Sequence, residues 1–381
     1  MKNALIIDPK GVIAKGGTQT LGRHLLYAKE LENASRNKYR LVIITKSENK
    51  NGQTEFDNLL SINFNSNKLK AITFALSIRR RLRSENIELI VVGDPWVSFY
   101  AGLLTKLLIG LRIPIQVQLH ADLYSEEWLS GSFSNRIKSA LSLPAIRISK
   151  SVRFVSQIQL NNGLRKFRWL KEKSFVAPVY LNKPISSIHK NQRNFHDPIT
   201  LGVLGRIHQD RGLDKLVPLI NPIIQAGLKI RVLIAGEGPY KNELDVQTRA
   251  LGISEYFSYL GHISGEQLDI FWREIDVLVS LAPSESYGRS IREALLAGVP
   301  IWVLPSSGAF ELKLLLDSGG GSYINLALEP QEQITSLQNL LKLSISSEIK
   351  EKIEMQNEQG IKKLIESWLG IAERNSYRSD L

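Results

Sequence analysis

Short apolar runs alternate with segments of helical spacing along the whole chain, and this alternation constrains the possible folds more than any other feature. A parallel sheet is covered by helices on both faces, so its strands are nearly continuous apolar runs with helices between them. The runs lie at residues 4–8, 39–45, 59–64, 87–93, 113–120, 152–156, 175–179, 199–205, 230–236, 257–261, 277–281, 301–304 and 323–326. The sequence therefore predicts an α/β protein built from doubly wound parallel sheets.

A polar segment at residues 184–198, with a proline at each end, interrupts this alternation. Polar segments without periodicity are typical of linkers. The chain has 381 residues, which is more than one core usually accommodates. We therefore predict two Rossmann-like domains, at residues 1–183 and 199–360, joined by this linker.

Composition excludes several kinds of protein. The chain has no cysteine, which excludes disulfides, thiolate metal sites and a cysteine nucleophile. The N-terminal segment has one lysine before a short apolar run, unlike a signal peptide. The most apolar longer stretch, 96–111, contains Lys106 and is shorter than a membrane span. We therefore expect a cytoplasmic protein.

The two halves of the chain differ in charge. Residues 1–183 hold 29 Lys and Arg against 13 Asp and Glu, a formal charge of +16, whereas residues 184–381 carry −4. Basic clusters lie at 78–83 and 164–173, the second mixed with aromatic residues as in segments that lie on membrane surfaces, although either could be a solvated face. Zinc-finger spacing, an aromatic RNP pattern and a helix-turn-helix signature are absent, so we expect no nucleic acid. The asymmetry predicts that the first half faces an anionic partner.

The run 284–300 lies between two predicted strands and carries the most informative motif. Glu285 would lie in the loop after the first strand, and Gly288 would let a ligand approach the backbone. Amides from Arg289 onward would open a helix towards an anion. The carboxylate of Glu293, two turns into that helix, suits a vicinal diol such as a ribose. A sugar nucleotide offers phosphates and diols together.

This run resembles the Glu-x7-Glu signature of the retaining glycosyltransferases of family 4, which have the GT-B fold. The segments 260–263, 275–277, 283–284 and 297–300 also follow the order usual in that family. The resemblance implies two Rossmann-like domains that face each other across a cleft. It also implies that a C-terminal helix at 361–381 packs back on the N-terminal, acceptor-side domain.

The resemblance also implies roles for individual residues. It assigns Glu285 and His120, which follows a predicted strand, to the donor sugar and to catalysis. It assigns the rest of the donor site to the glycine-rich loop after the first strand, two cations for the diphosphate, a backbone contact to the nucleobase, and the Glu-x7-Glu loop and helix. These residues are Gly16, Gly17, Arg206, Arg211, Ile263, Ser286, Tyr287, Gly288, Arg289, Ser290 and Glu293.

The implied reaction is transfer of a sugar from a nucleotide diphosphate sugar to an acceptor hydroxyl with retention of anomeric configuration. It needs neither a metal ion nor another cofactor. The charge of the first half predicts an anionic glycan or glycolipid acceptor, at the inner face of a membrane, in surface polysaccharide or lipid-linked glycan assembly. Alternatives are a sugar-nucleotide epimerase, a phosphorylase, or a non-catalytic nucleotide- or anion-binding protein.

The chain departs from the family pattern at three positions. Arg211 stands where the family has lysine, and an arginine can bind phosphate bidentately. Arg289 stands at a position that is usually apolar, where it would reach the diphosphate or point to solvent. The loop after Pro300 keeps a glycine, Gly308, but the residues before this glycine differ from those usual in the family.

Overall fold

The computed structural model describes residues 1–11, 13, 17–47, 52–56, 59–65, 82, 85–110, 112–181 and 198–379. The chain divides into two compact units, Met1–Tyr180 with Asn357–Leu381, and Leu181–Gln356. Most of the predicted linker lies outside the described residues, as do Gly16 and all of the basic cluster at 78–83 except Leu82.

The first unit contains one sheet in the order β3-β4-β2-β1-β5-β6-β7-β8. Its strands are β1 Lys2–Asp8, β2 Tyr39–Ser47, β3 Gly52–Phe56, β4 Leu59–Asn65, β5 Ile87–Val92, β6 Ile115–Leu119, β7 Ser151–Phe154 and β8 Ser174–Val176. The pairs are parallel except that β3 runs antiparallel to β4 at the edge. The apolar runs did not reveal β3 because Gly52–Phe56 is mostly polar, and an edge strand needs no apolar residues on both faces.

The second unit contains a parallel sheet in the order β11-β10-β9-β12-β13-β14. Its strands are β9 Ile199–Leu204, β10 Ile230–Ala235, β11 Phe257–Gly261, β12 Val277–Ser280, β13 Ile301–Val303 and β14 Gly321–Tyr323. The last strand was predicted at 323–326, whereas β14 lies at Gly321–Tyr323 and overlaps the prediction at one residue. A Cβ at Gly321 would lie 2.1 Å from the carbonyl oxygen of Ile301, so this glycine permits the close pairing with β13.

Helices connect the strands and cover both faces of each sheet. Along β1, Leu5 and Ile7 belong to one apolar cluster, whereas Ala4 and Ile6 belong to another on the opposite face. The helices within the described residues are α1 Gly17–Ser35, α2 Val97–Ile109, α3 Glu126–Gly131, α4 Phe133–Leu141, α5 Leu143–Ile148, α6 Gln157–Lys166, α7 Leu216–Gln225, α8 Lys241–Ala250, α9 Glu266–Glu274, α10 Arg289–Ala297, α11 Ser307–Glu311, α12 Lys313–Leu315, α13 Pro330–Leu341 and α14 Ser347–Ser379.

The C-terminal part of α14 packs into the first unit. Leu364, Ile365 and Trp368 are buried in the same cluster as Ala4 of β1. The indole Nε1 of Trp368 donates to Oε1 of Gln116 in β6 at 2.8 Å, so both of these buried polar atoms have a hydrogen-bond partner. The chain thus returns to its first unit after completing the second.

Each sheet reverses its strand order once, beside a central strand. In the second unit the chain runs outward from β9 to β10 and β11, then continues with β12 on the other side of β9. In the first unit β5 lies beside β1 in the same way. Open α/β sheets bind ligands at the carboxyl ends of the strands at such a switch point, so the loops after β9 and β12 form the candidate site.

Candidate functional site

The loops after β9 and β12 bring charged residues to the switch point of the second sheet. Arg206 and Arg211 follow β9, and Glu285 follows β12. The ends of these two strands and of β10 line an open cavity with both arginines in its wall. The sequence could place each residue after a strand, and the strand order places them at one edge.

Arg211 and Glu285 form an ion pair across the switch point. Nη2 of Arg211 donates to Oε2 of Glu285 at 2.7 Å, and the two side chains are 26% and 15% exposed. Gly212 permits this approach: its φ is +70°, and a Cβ there would lie 1.9 Å from the carbonyl oxygen of Leu281 at the end of β12. The carboxylate of Glu285 is therefore charge-balanced in a partly desolvated position.

A second glycine holds the Glu285 loop. The amide of Gly308, in α11, donates to the carbonyl oxygen of Glu285. A Cβ at Gly308 would lie 2.8 Å from Cγ of Glu285 and 2.7 Å from its carbonyl oxygen. The sequence showed only that a glycine is kept after β13, and its contact with Glu285 became visible in the tertiary structure.

Helix α10 begins at Arg289, as the sequence predicts. Gly288 adopts φ +69° at the N-cap position, and no side chain caps this helix terminus among the described residues. Amide groups at an uncapped helix N-terminus favour an anion. The segment from Ser286 to Ser290 thus presents backbone donors beside Glu285.

Arg289 forms an ion pair within helix α10. Its Nη2 donates to Oε1 of Glu293 at 3.1 Å, one turn further along α10. Glu293 is 9% exposed and Arg289 is 40% exposed. The helix places the two side chains four residues apart on one face, so Arg289 is partly exposed and paired with Glu293, and its contact with the diphosphate stays a prediction.

Arg292, which directly precedes Glu293, is a buried cation that was not predicted from the sequence. It is 1% exposed, and its guanidinium carbon lies 3.7 Å from the centroid of the Tyr287 ring. Burial lowers its pKa, which the charges of Tyr287, Glu311 and Glu285 raise. Its Nε and Nη1 have no hydrogen-bond partner within the described part of the chain. The available signal was a cation on the same helical face as Leu295 and Leu296.

The other predicted residues of the second unit lie around this centre. Arg206 is largely exposed and pairs with Asp210 at 3.1 Å. Ile263, half-buried, lies in the loop after β11 at the same edge. The amide of Gly236, at the end of β10, donates to the carbonyl of Gly261 at 2.7 Å. A Cβ at Gly236 would lie 1.8 Å from the carbonyl oxygen of Gly205, so this glycine allows the segments after β9 and β10 to approach each other closely.

In the first unit, His120 directly follows β6 and is exposed. The surrounding protein desolvates the ring and lowers its pKa, and the positive charges of Arg153 and Arg23 lower it further. Solvent still reaches the residue, so desolvation acts only in part. At neutral pH the imidazole is uncharged. Gly17 is the first residue of α1. The donor-binding roles of Gly16 and Gly17 and the catalytic role of His120 stay predictions.

The sequence reasoning missed two buried or half-buried basic groups near His120. Arg153, fully buried, donates from Nε to the carbonyl of Ala177 at 2.8 Å and from Nη1 to Gln118 at 2.9 Å. His24 is half-buried, with Nδ1 2.8 Å from the carbonyl oxygen of Thr20. Burial lowers the pKa of His24 from 6.5 to about 4, which the Thr20 carbonyl partly offsets.

The described residues contain no group of three or more His, Asp or Glu side chains that could hold a metal ion. Their helices include none with the length and hydrophobicity needed to span a bilayer.

Two Rossmann-like units with these sheets define the GT-B fold. The structure of sucrose-phosphate synthase from Thermosynechococcus elongatus superimposes with a TM-score of 0.69 at 14% identity, covering 100% of this chain and 99% of that one. Residues 185–362 match the family model described as "Glycosyl transferases group 1".

Two curated relatives agree with that match. A 2-deoxystreptamine glucosyltransferase from Streptomyces kanamyceticus is 21% identical over 61% of this chain and 62% of its own length. An alpha-monoglucosyldiacylglycerol synthase from Streptococcus pneumoniae is 26% identical over 27% of this chain and 23% of its own. The chain thus spans less than two thirds of each of these relatives. Together with the family match, they support a glycosyltransferase.

Proposed function

We propose that this protein is a retaining glycosyltransferase that moves a sugar from a nucleotide diphosphate sugar to a hydroxyl of a glycan or glycolipid acceptor. The observation that carries the proposal is the Arg211–Glu285 ion pair at the switch point of the second sheet, 2.7 Å long. It lies beside the uncapped start of α10, which also bears Glu293. Cations, carboxylates and backbone donors at one sheet edge suit a ligand with both phosphates and hydroxyls.

The diphosphate would bind to the positively charged groups of the site. Arg211, Arg206 and the amides of Arg289 and Ser290 supply charge and hydrogen-bond donors. These groups would stabilise the charge that develops on the leaving diphosphate, which is the largest contribution expected in such a site. No metal ion is needed in this proposal, because the protein's own cations take that part.

The two glutamates would bind the two sugars of the donor. Glu293, nearly buried, would hold the ribose hydroxyls, and Glu285 the hydroxyls of the transferred sugar. Each carboxylate now accepts a hydrogen bond from an arginine, so donor binding exchanges these partners: Arg211 turns to the diphosphate while Glu285 accepts from the sugar. Ile263 would contact the base through its backbone.

Retention follows if the acceptor hydroxyl attacks from the side on which the diphosphate leaves. In that geometry the leaving phosphate oxygen takes the acceptor's proton, so no separate base is required. Glu285 and Glu293 are assigned to different parts of the donor and do not flank the scissile bond as the paired carboxylates of a glycosidase do.

For the acceptor we propose an anionic glycan or glycolipid carrier at the cytoplasmic face of a membrane, in surface polysaccharide or lipid-linked glycan assembly. The charge of +16 on residues 1–183 supports an anionic partner. One relative is named as a synthase of a glucosyldiacylglycerol, and the other is named as a glucosyltransferase for 2-deoxystreptamine. Both kinds of acceptor should therefore be tested.

Calorimetric titration with UDP, GDP, ADP and dTDP tests the donor site. We expect the wild type to bind one of these nucleotides selectively and Glu293→Ala to bind it at least about tenfold more weakly, since a charge-assisted hydrogen bond contributes about 1.5–3 kcal/mol. Glu243→Ala, an exposed helical glutamate of the same unit, is the matched control and should bind as the wild type does.

Selective binding that Glu293→Ala weakens would identify the nucleotide and select the sugar donors to test. The anomeric configuration of the product, read by NMR, then decides retention. Binding that ignores Glu293 would overturn the proposal. Turnover of the donor without an acceptor would indicate an epimerase, and activity that requires phosphate but no nucleotide would indicate a phosphorylase.

A further inference from the structure

Helix α4 turns its apolar side chains towards solvent. Phe133, Ile137 and Leu141 are 76%, 45% and 51% exposed. Residues four apart lie on one helical face, so the three side chains form a single stripe. The buried residue of this helix is Ser139, which lies on the opposite face. The amphipathic pattern of α4 is therefore inverted relative to a helix that packs on a core.

Basic residues border the stripe on both sides. Arg136 and Lys138 are exposed, and at 100° per residue they lie about 100° to either side of the centre of the stripe. An apolar stripe with a cation on each side resembles the arrangement of helices that lie in a membrane interface. The stripe itself is suited to acyl chains and its borders to anionic headgroups.

Hydrogen bonds on the polar side fix the orientation of α4. Nδ2 of Asn135 donates to the carbonyl of Trp128 at 3.0 Å, and Nε of Arg136 donates to that of Leu129 at 3.0 Å. The indole Nε1 of Trp96 donates to the carbonyl of Lys138 at 2.9 Å. Because α3 and the start of α2 both hold the helix, its apolar stripe cannot rotate inward without breaking these bonds.

Helix α5, which follows α4 in the chain, also ends in exposed residues. Ile148 is 51% exposed, and Arg147 and Lys150 are exposed beside it. The ammonium group of Lys173 donates to the carbonyls of Arg147 and Ser149, each at 2.8 Å. We call the apolar residues Phe133, Ile137 and Leu141, with the cations Arg136 and Lys138, the α4 surface. Two exposed carboxylates, Glu126 and Glu127, begin the adjoining helix α3.

The aromatic residues of the basic segment at 164–173 do not belong to this surface. Phe167 and Trp169 are partly buried and pack against the core of the first unit. Arg147 and Lys173 lie over the Trp169 ring at 5.6 and 5.2 Å. The exposed apolar residues are therefore on α4 and not on the segment that the sequence singled out.

We infer that the α4 surface docks the protein on an anionic lipid bilayer. Charge complementarity selects this occupant. A second copy of the chain would bring the same cations together across a two-fold interface, and nucleic acid would leave the apolar stripe in water. The inference deepens the proposed function and rests on it, since an acceptor with a lipid carrier would be met at such a surface.

Vesicle flotation of the full chain tests the inference. The probes are phosphatidylcholine vesicles with and without phosphatidylglycerol. We expect the wild type to prefer the anionic vesicles, and the double variant Phe133→Ser with Ile137→Ser to bind them about tenfold or more weakly, because it removes two of the three apolar side chains that the bilayer would bury. Leu314→Ser, which removes an exposed apolar side chain of the second unit, is the matched control.

A charge variant separates the two contributions. Arg136→Gln with Lys138→Gln should lose most of the preference for anionic vesicles while keeping residual binding to both kinds. Equal flotation of the wild type and the serine double variant would overturn the inference, as would a wild type that binds neither vesicle. A concentration-dependent dimer that the serine variant abolishes would indicate a second copy as the occupant instead.

The same samples distinguish failure of this inference from failure of the proposed function. The serine double variant should bind nucleotide as the wild type does, because its substitutions are exposed and distant in sequence from the donor residues. Flotation without Glu293-dependent nucleotide binding would retain the docking surface and overturn the proposed donor. Glu293-dependent nucleotide binding without flotation would retain the proposed donor and overturn the docking surface. Thermal unfolding of each variant controls for folding.

Discussion

At the scale of single residues, each glutamate of the motif is neutralised by an arginine in this structure. Arg211 reaches Glu285 from the loop after β9, and Arg289 reaches Glu293 within α10. The first pair joins residues 74 positions apart and the second is a local helical pair. Since both pairs are partly screened from solvent, their exchange for donor groups should dominate the affinity of the site.

Replacing Arg211 with methionine tests that exchange. Arg211→Met keeps an unbranched, flexible side chain, although a shorter one, and removes both the cation and the partner of Glu285, so nucleotide diphosphate affinity should fall by about 10- to 100-fold. The readout is the dissociation constant by calorimetry. Arg231→Met, which removes a cation from the looser pair with Glu274 at 3.6 Å, should leave the affinity unchanged. Equal effects of the two variants would contradict the prediction.

His24 gives the first unit a pH-dependent stability. Its pKa falls from 6.5 to about 4 in the folded protein, first because of burial and then because of Arg23 and Arg153. The unfolded chain therefore binds a proton that the folded chain does not, and stability is lost as the pH falls below 6.5 towards 4. The loss is reduced because solvent reaches part of the residue.

Denaturant unfolding between pH 7 and pH 4.5 measures this loss, because that range covers most of the window from 6.5 to about 4 in which the unfolded chain binds the extra proton. In His24→Gln the decrease in the free energy of unfolding over this range should be smaller than in the wild type. His262→Gln, exposed in the second unit, should follow the wild type. An identical pH dependence in all three proteins would show that His24 is not responsible.

At the scale of elements, the site depends on how closely backbone segments approach each other. Gly212 brings the loop after β9 against the end of β12, and Gly308 brings α11 against the Glu285 loop. Neither glycine contributes a side chain to these contacts. The position of Glu285 nevertheless follows from both, because a Cβ at either glycine would overlap backbone atoms.

Gly308→Ala tests the second of these contacts. The added methyl group would lie 2.7 Å from the carbonyl oxygen of Glu285, so the loop must shift and transfer activity should fall by about tenfold or more, as misplacement of positioning groups does. The matched control is Gly370→Ala in α14, where no atom lies within 4 Å of the new Cβ.

The control should raise the free energy of unfolding slightly, by about 0.5–1 kcal/mol, because alanine favours a helix over glycine. Kinetic constants with the identified donor and thermal unfolding are the two measurements. Wild-type activity in Gly308→Ala would show that the loop does not need this close approach.

At the scale of the whole molecule, the two ends of the sequence belong to one unit. Trp368 of α14 donates to Gln116 of β6, 252 positions earlier, and packs edge-on against Tyr27 of α1 with ring centroids 6.2 Å apart. The second unit, Leu181–Gln356, is thus inserted into the chain of the first. The hydrophobic core of the first unit therefore includes side chains of the last helix, α14.

Trp368→Ala should lower the free energy of unfolding of the first unit by about 3–5 kcal/mol, from the cavity and from the loss of the hydrogen bond to Oε1 of Gln116. Met355→Ala removes an exposed side chain of the same helix and should change it little. Urea unfolding followed by tryptophan fluorescence and by circular dichroism measures both. A small loss in Trp368→Ala would show that the first unit is stable without this contact.

The sequence by itself determined the fold class, most strands and the start of α10. The apolar runs are local patterns, and a strand buried on both faces must be apolar wherever it lies in the sheet. The Glu-x7-Glu run was readable because it is contiguous in the sequence, lies between two apolar strands and resembles a family signature. The polar edge strand β3 and the short β14 were missed or displaced because their pairing depends on neighbours rather than on their own residues.

Only the tertiary structure decided which charges meet and which apolar residues remain exposed. Arg211 pairs with Glu285 because β9 and β12 are neighbours in the sheet, and Gly308 contacts Glu285 because α11 follows the next strand. The burial of Arg292 and the outward stripe of α4 likewise depend on what packs beside each helix. Local periodicity specifies an element, whereas a contact between distant residues depends on the order in which the elements assemble.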